Sequence, residues 1–314
     1  MITIWKQNKD SIVKTAMLEK NCWINIVRPD DLEIETIKRD YGIAEDIILD
    51  ILDPDERSRS ERNEGYHAII FRVPAFSGEA QLQYYTVPLG VIITKDIFIT
   101  ISCIEIDIVN TCLKKEGRIP QFDKPAELLL RLMLDTARCY LRFMKAINRN
   151  TDMLEHELQQ SVKNTELLKL LRMEKSLVFF STSLRANELL FSKLEKTIFS
   201  NLDEEESELL DDVMIESSQA IEMANIHSNI LSGMMDAFAS VISNNLNVIM
   251  KRLTMVSIVL MIPTFFASVY GMNVPLPFQA SPFAFAGILA GSGVLAVICA
   301  FIFNTRRMFR KRKE

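Results

Sequence analysis

Between residues 253 and 305 the chain has no aspartate, glutamate, lysine or arginine, a gap of 53 positions in a protein that carries 77 such residues elsewhere. Two helices of a soluble core would still expose charged faces and connections, so an uncharged block of this length excludes the soluble reading and points to a bilayer. Histidine is also scarce: His67, His156 and His227 are the whole set, far apart in sequence. There is no HExxH, no Gly-rich phosphate loop and no Cys-His metal spacing, so hydrolytic and nucleotide-driven chemistry lack carriers and no enzyme is expected. The five cysteines, Cys22, Cys103, Cys112, Cys139 and Cys299, form no CxxC pair. Such a scattered, odd-numbered set reads as reduced thiols in a cytosolic compartment. The opening MITIWKQNKD has no apolar core of a leader, so no secretory signal is expected. A formal net charge of −5 gives no footprint for nucleic acid.

Within the neutral block, residues 253–270 and 283–303 are apolar runs of 18 and 21 residues. Each can cross a hydrocarbon core of about 30 Å as a helix. The break between them, GMNVPLPFQASP, is rich in residues that end helices. Lys251 and Arg252 precede the first run, and Arg306, Arg307, Arg310, Lys311, Arg312 and Lys313 follow the second. Basic residues stay on the cytoplasmic side, so both ends of the chain are expected there, with the tail against anionic headgroups.

The remainder divides by pattern. CWINIV, HAIIFRV, YYTVPLGVIIT and DIFITIS are strand-like, while PDDLEIETIKRDYGI and AEDIILDILD read as helices, the first capped by Asp30 or Asp31. DPDERSRS, residues 53–60, reads as a charged turn or helix start. Beyond Pro125 the period is helical throughout, with Asp123 as the cap of the first long helix. The expected organisation is an α/β cytosolic domain (1–122), a helical hairpin (123–202) and a stalk helix continuing into the first transmembrane helix (203–270). An external loop (271–282), a second transmembrane helix (283–303) and a basic cytosolic tail (304–314) complete it. Pro263 removes one backbone hydrogen bond inside the first span, for which the neighbouring Thr264 hydroxyl is positioned to compensate.

The first span holds four hydroxyl residues, and all fall on one series with Met261: Thr254, Ser257, Met261, Thr264 and Ser268. Carried backwards, the series takes in Met250 and Asn247. Steps alternating three and four give the 3.5-residue period of helices wound about a common axis. Two uses fit: the stripe lines a narrow wet conduit in a ring of subunits, or it packs tightly in a dry helix interface, where small and hydroxyl residues are also common. Two spans per chain cannot enclose a pore, so either use implies self-association. The second span, with its GILAGSG run, would form the lipid-facing layer.

Gly271 follows the last residue of the long helix, where a left-handed position favours glycine. Helix ends gathered about an axis present carbonyls and the negative end of their dipoles, and Asn273 adds an amide oxygen. Such a mouth favours a cation, and neutral oxygens suit Mg2+, which gives up its inner waters reluctantly.

The run YGMN at 270–273, ending a long helix and followed by a short loop, a second span and a basic tail, resembles the signature of the CorA family of magnesium transporters. The resemblance covers the whole architecture and implies a funnel-shaped homopentamer with Gly271, Met272 and Asn273 at the ion entrance. It further implies a pore lined from Asn247 through Leu253, Met261, Thr264 and Ser268, and closure when cytosolic Mg2+ bridges carboxylates of neighbouring subunits. By position relative to Asn273, the stalk candidates are Asp212 and Asp236, with Glu79, after the strand HAIIFRV, as their counterpart on the α/β domain. Asp212 also stands in the acidic cluster DEEESELLDD, which can simply solvate a helix start and complement its dipole. One departure is plain: many relatives have an acidic residue after GMN, whereas VPLPFQASP has none, so the outer mouth is less electronegative. Alternatives on the same scaffold are zinc, cobalt or nickel transport; one of another class is a membrane-anchored sensor that conducts nothing.

Overall fold

Strand alternation and helix periodicity assemble into seven strands and seven helices in a computed structural model that describes residues 1–8, 11–17, 19–78, 82–114, 120–160, 164–200, 202–274, 277 and 283–310. The chain divides into two units, Met1–Met235 and Asp236–Glu314.

The first unit is built on one mixed sheet in the order β2 (Ser11–Thr15), β1 (Ile2–Asn8), β3 (Cys22–Val27), β7 (Ile97–Ser102), β6 (Tyr84–Thr94), β5 (Tyr66–Phe76) and β4 (Arg59–Asn63). Only β3 and β7 pair in parallel. Successive residues point to opposite faces of a strand, and here both faces are apolar. Ile24, Ile26, Ile70, Ile92, Ile99 and Ile101 pack against α1 (Asp31–Tyr41) and α2 (Glu45–Leu52). Their sequence neighbours Trp23, Ile69, Phe71, Val91 and Phe98 belong to the opposite core, with α3 (Asp107–Lys114), α4 (Pro125–Gln160) and α5 (Asn164–Glu195). Gly90 is required by the first face: a Cβ there would lie 2.3 Å from Ile51 Cδ1.

Strands β3, β5, β6 and β7 lie where the alternation places them. The segment expected as a turn or helix start does turn at Pro54 and Asp55, and then enters β4 at Arg59, which pairs with Ile70. Its strand RSERN is an edge strand, and charged residues are how an edge is kept from pairing further. Asp30 is the α1 cap, in a capping box with Glu33. Asp123 is not the α4 cap: the helix opens with Pro125 at its first position, and the Lys124 carbonyl accepts from Leu128 N–H.

Helix α6 (Glu204–Tyr270) is continuous over 67 residues. Asp203 caps it, accepting from Glu206 N–H at 2.8 Å while the Glu206 carboxylate accepts from Asp203 N–H at 3.1 Å. Within the first unit its buried residues are Leu210, Val213, Ser217, Ala220, Ala224, His227 and Leu231. The two alanines let the helix approach Tyr140, Met144, Leu177 and Phe180 of α4 and α5. In the second unit the rest of α6 is joined by α7 (Ala284–Arg310), and these are the two helices long and apolar enough to cross a membrane.

Candidate functional site

Every member of the sequence stripe, Asn247, Met250, Thr254, Ser257, Met261, Thr264 and Ser268, is exposed in the single chain, as is Leu253. The α6 residues half-buried at this level include Met255, Ile258, Val259, Ile262, Phe266 and Val269. At 100° per residue the two sets are centred roughly 130° apart around the helix. The second set faces α7, whose inward ridge is Ile288, Ser292, Ala296 and Cys299, with Ser292 and Ala296 buried. An apolar groove of about 610 Å3 separates the two helices, with Ile258, Met261, Ile262, Phe266, Leu295 and Cys299 among the residues that line it. The stripe is therefore not consumed by packing within one chain, and apart from Met261, which lines this groove, it is centred away from the partner helix.

Three stripe hydroxyls share one geometry. Thr254 donates to Met250 O at 2.9 Å, Ser257 to Leu253 O at 3.0 Å and Thr264 to Leu260 O at 2.8 Å. With the proton directed back into the helix, each oxygen turns its lone pairs outward. An acceptor surface of this kind suits a hydrated cation, whose coordinated waters are strong donors. Thr264 spends its donor on Leu260 O, so the expected repair at Pro263 is not made: Val259 O, four residues before the proline, receives no N–H from it.

The corner also differs from expectation in detail. Gly271 is not left-handed; the described glycines with positive φ are Gly42 and Gly65. Its N–H donates to Ala267 O at 3.0 Å and Ser268 O at 3.2 Å, and Met272 N–H donates to Val269 O at 3.3 Å. The last turn is thus tightened, and three of the four terminal carbonyls already hold one donor each while keeping a second lone pair. Glycine matters here by proximity, because a Cβ would sit 3.3 Å from Ala267 O. Met272 and Asn273 are exposed, and Tyr270 Oη donates to Pro277 O at 3.3 Å, tying the loop to the helix end.

Carried N-terminally from Asn247, the alternation of three and four passes Ser243, Ser240, Asp236, Gly233, Asn229, Ile226, Glu222, Gln219, Ile215 and Asp212, and each is exposed. Both stalk candidates thus share the series of the stripe, which sequence inspection had left unnoticed although the spacing was there to count. Among the described residues no group of three or more His, Cys, Asp or Glu within the chain could hold a metal, so neither aspartate has a ready-made site. Glu79 lies outside the described residues.

Residues 19–312 match the family of CorA-like Mg2+ transporter proteins. The chain belongs to the CorA family. Over 316 residues it is 28% identical to the cobalt/magnesium transport protein CorA of Methanocaldococcus jannaschii, covering 97% of this chain and 98% of that one. The cobalt/magnesium transport protein CorA of Thermotoga maritima is 24% identical over 293 residues, 91% of this chain and 82% of its own. Among solved structures, the complete CorA magnesium transporter from M. jannaschii superposes with a TM-score of 0.77 at 25% identity, covering 97% of this chain and 96% of that one. The full-length CmaX protein, at 14% identity and a TM-score of 0.69 over 95% of this chain and 96% of its own, shares the fold. As a CorA-family chain the protein is a membrane protein with two C-terminal spans and belongs to transporters rather than enzymes. The inward ridge of α7 went unread in the sequence. Ser292 and Ala296, four apart, were its signal, whereas Gly287, Gly291 and Gly293 of the GILAGSG run meet nothing within 4 Å of an added Cβ.

Proposed function

We propose that the chain moves divalent cations through the cytoplasmic membrane, with Mg2+ as its principal cargo, as a homopentamer whose α6 helices surround the path. The observation that carries this reading is the neutral, wholly exposed stripe from Asn247 to Ser268 that ends at the Gly271, Met272, Asn273 corner. Nothing within a chain covers it, and its hydroxyl oxygens are turned outward as acceptors. Asn273 offers the amide oxygen of the mouth, and Met261 is a flexible apolar constriction along the path. A 3.5-residue period drifts about 20° per heptad on a straight helix, so one face can follow the axis only if the α6 helices supercoil left-handedly.

In the same reading, cytosolic Mg2+ closes the path by bridging Asp212 and Asp236 of neighbouring copies, with Glu79 as the counterpart. Their place on the stripe's own series supports this, since an ion held there draws together the face that lines the path. The α/β domain, helical hairpin, stalk, loop and tail then act as sensor, support, conduit, mouth and lipid anchor. Cobalt is the second cargo to test, because both M. jannaschii and T. maritima relatives carry it in their names.

The test is influx into liposomes holding a magnesium-sensitive dye. The intact chain should pass Mg2+, Asn273→Ala should abolish the flux, and Asp212→Ala should leave the path open at high internal Mg2+. Flux that survives Asn273→Ala would remove the corner from the mechanism, and no flux of any divalent ion would leave a sensor. Competition by cobalt, zinc or nickel, and dependence on a proton gradient, would separate the cargoes.

A further inference from the structure

The first unit has a cavity of about 560 Å3 where the C-terminal end of α5 overhangs the sheet. Its floor is His67 of β5 and Ile93 of β6, which pair across the strands, and Arg62 of β4 is paired with His67 on the other side. Lys95, in the turn between β6 and β7, stands at one rim; Lys193 of α5 and Ile198 close the other. No carboxylate lines the space.

Three cations around one hollow are unexpected in a chain whose formal net charge is −5. Among the described residues, Arg62, Lys95 and Lys193 have no ion-pair or hydrogen-bond partner for their side chains. The carboxylates next in sequence to Arg62 and Lys95 are engaged elsewhere: Glu61 lies 3.9 Å from Arg59, and Asp96 pairs with Lys20 at 3.2 Å. Lys193 stands in the last turn of α5, where it complements the helix dipole. Arg62 and Lys95 have no such role. The negative end of the α5 dipole works against an anion here, but its last carbonyls are capped within the chain: Lys193 O accepts from Thr197 Oγ1 at 3.3 Å, and Leu194 O from Thr197 N–H at 3.0 Å and Phe199 N–H at 3.1 Å. His67 registers the surroundings: burial, then the charges of Arg62 and Lys193, hold its imidazolium below the ordinary histidine range.

We infer that this cavity binds a small phosphate-bearing anion, held by Arg62, Lys95 and Lys193 over the His67 floor. Its volume is that of a small-molecule site, about 300–1,000 Å3. Cations of this kind recognise phosphate oxygens, the arginine by paired N–H donors. Bound there, the anion would tie the β4–β5 hairpin, the β6–β7 turn and the end of α5 together. The inference does not depend on the transport reading.

Equilibrium dialysis of the full chain in detergent, at low salt and without divalent ions, tests it with labelled ATP and with pyrophosphate. One anion should bind per chain, and its affinity should fall as salt rises. Arg62→Gln, Lys95→Gln and Lys193→Gln together should weaken binding at least tenfold, while Arg62→Lys, Lys95→Arg and Lys193→Arg together should retain it. ATP binding more tightly than pyrophosphate would assign the apolar wall of Ile93 and Ile198 to a base; equal affinities would assign the site to phosphates alone. Absence of saturable binding by either anion, or binding undiminished in the glutamine chain, would overturn the assignment. Ion flux is not read, so neither result touches the transport function.

Discussion

Phe71 and Phe98 in the sheet are 0% and 1% exposed, whereas Phe265 and Phe285 in the terminal helices are 62% and 77% exposed. Both regions are rich in apolar residues, yet they meet opposite ends. In the sheet unit both faces of the sheet have a partner within the chain: α1 and α2 on one side, α3, α4 and α5 on the other. In the helical unit, among the described residues, Phe238, Ser292 and Ala296 alone are buried, and most of the large apolar side chains are exposed. The sheet is thus specified by its own core, as hydrophobic burial requires. The terminal helices are specified by surroundings the chain does not contain, the lipid of the membrane, and there the backbone must satisfy itself within the helix.

The contrast can be broken most directly by matched truncations. Phe71→Ala should cost the full chain about 3–5 kcal/mol, read from tryptophan emission during denaturation, since Trp5 and Trp23 both lie in the sheet unit. Phe265→Ala should change the same midpoint by no more than about 0.5 kcal/mol. Equal effects would mean that the two regions unfold as one and that the contrast is false. Gly90→Val comes next: with Ile51 where it is, overpacking should cost about 3 kcal/mol, measured in the same way.

A smaller effect probes the polar side of the sheet unit. Asn187 on α5, 2% exposed, accepts from Arg72 N–H at 2.9 Å and donates to Arg72 O at 2.8 Å, beyond the point where β4 stops pairing with β5. Asn187→Ala leaves that N–H buried without its partner and should cost about 2 kcal/mol. Exchange of the Arg72 amide as slow as in the unaltered chain would show that another group replaces the side chain. Smallest is the α6 cap. The Lys124 ammonium, then the Glu206 backbone N–H, hold the Asp203 carboxyl below its ordinary value. A lowered folded value means that the contribution is present at neutral pH and lost as pH falls below about 4. Asp203→Asn should therefore flatten acid-side stability while leaving the midpoints of the two chains convergent at low pH.

Legibility followed chemistry that repeats. Strand β6, with β-branched and aromatic residues over 11 positions, was plain in the sequence, as were the HAIIFRV centre of β5 and the 67-residue α6, broken by neither cap nor charge pattern until Tyr270. The edge strands β2 and β4 were not, because SIVKT and RSERN are short and half-exposed and take their conformation from their neighbours. At the corner, the identity and order of Gly271, Met272 and Asn273 were readable. The conformation of Gly271 was not, since it depends on how the final carbonyls of α6 find donors. The seam from Asp212 to Ser268 was countable in the letters, but that all of it is exposed required knowing where α4, α5 and α7 lie.

Residue order alone determined the neutral block, the two spans, the basic flanks and the period of the stripe, because solvation of charge and helical repeat are local properties that no fold can change. Tertiary structure alone decided which side of α6 is occupied by α7 and where Arg62, Lys95 and Lys193 meet, because each joins groups that are distant along the chain and whose placement depends on packing.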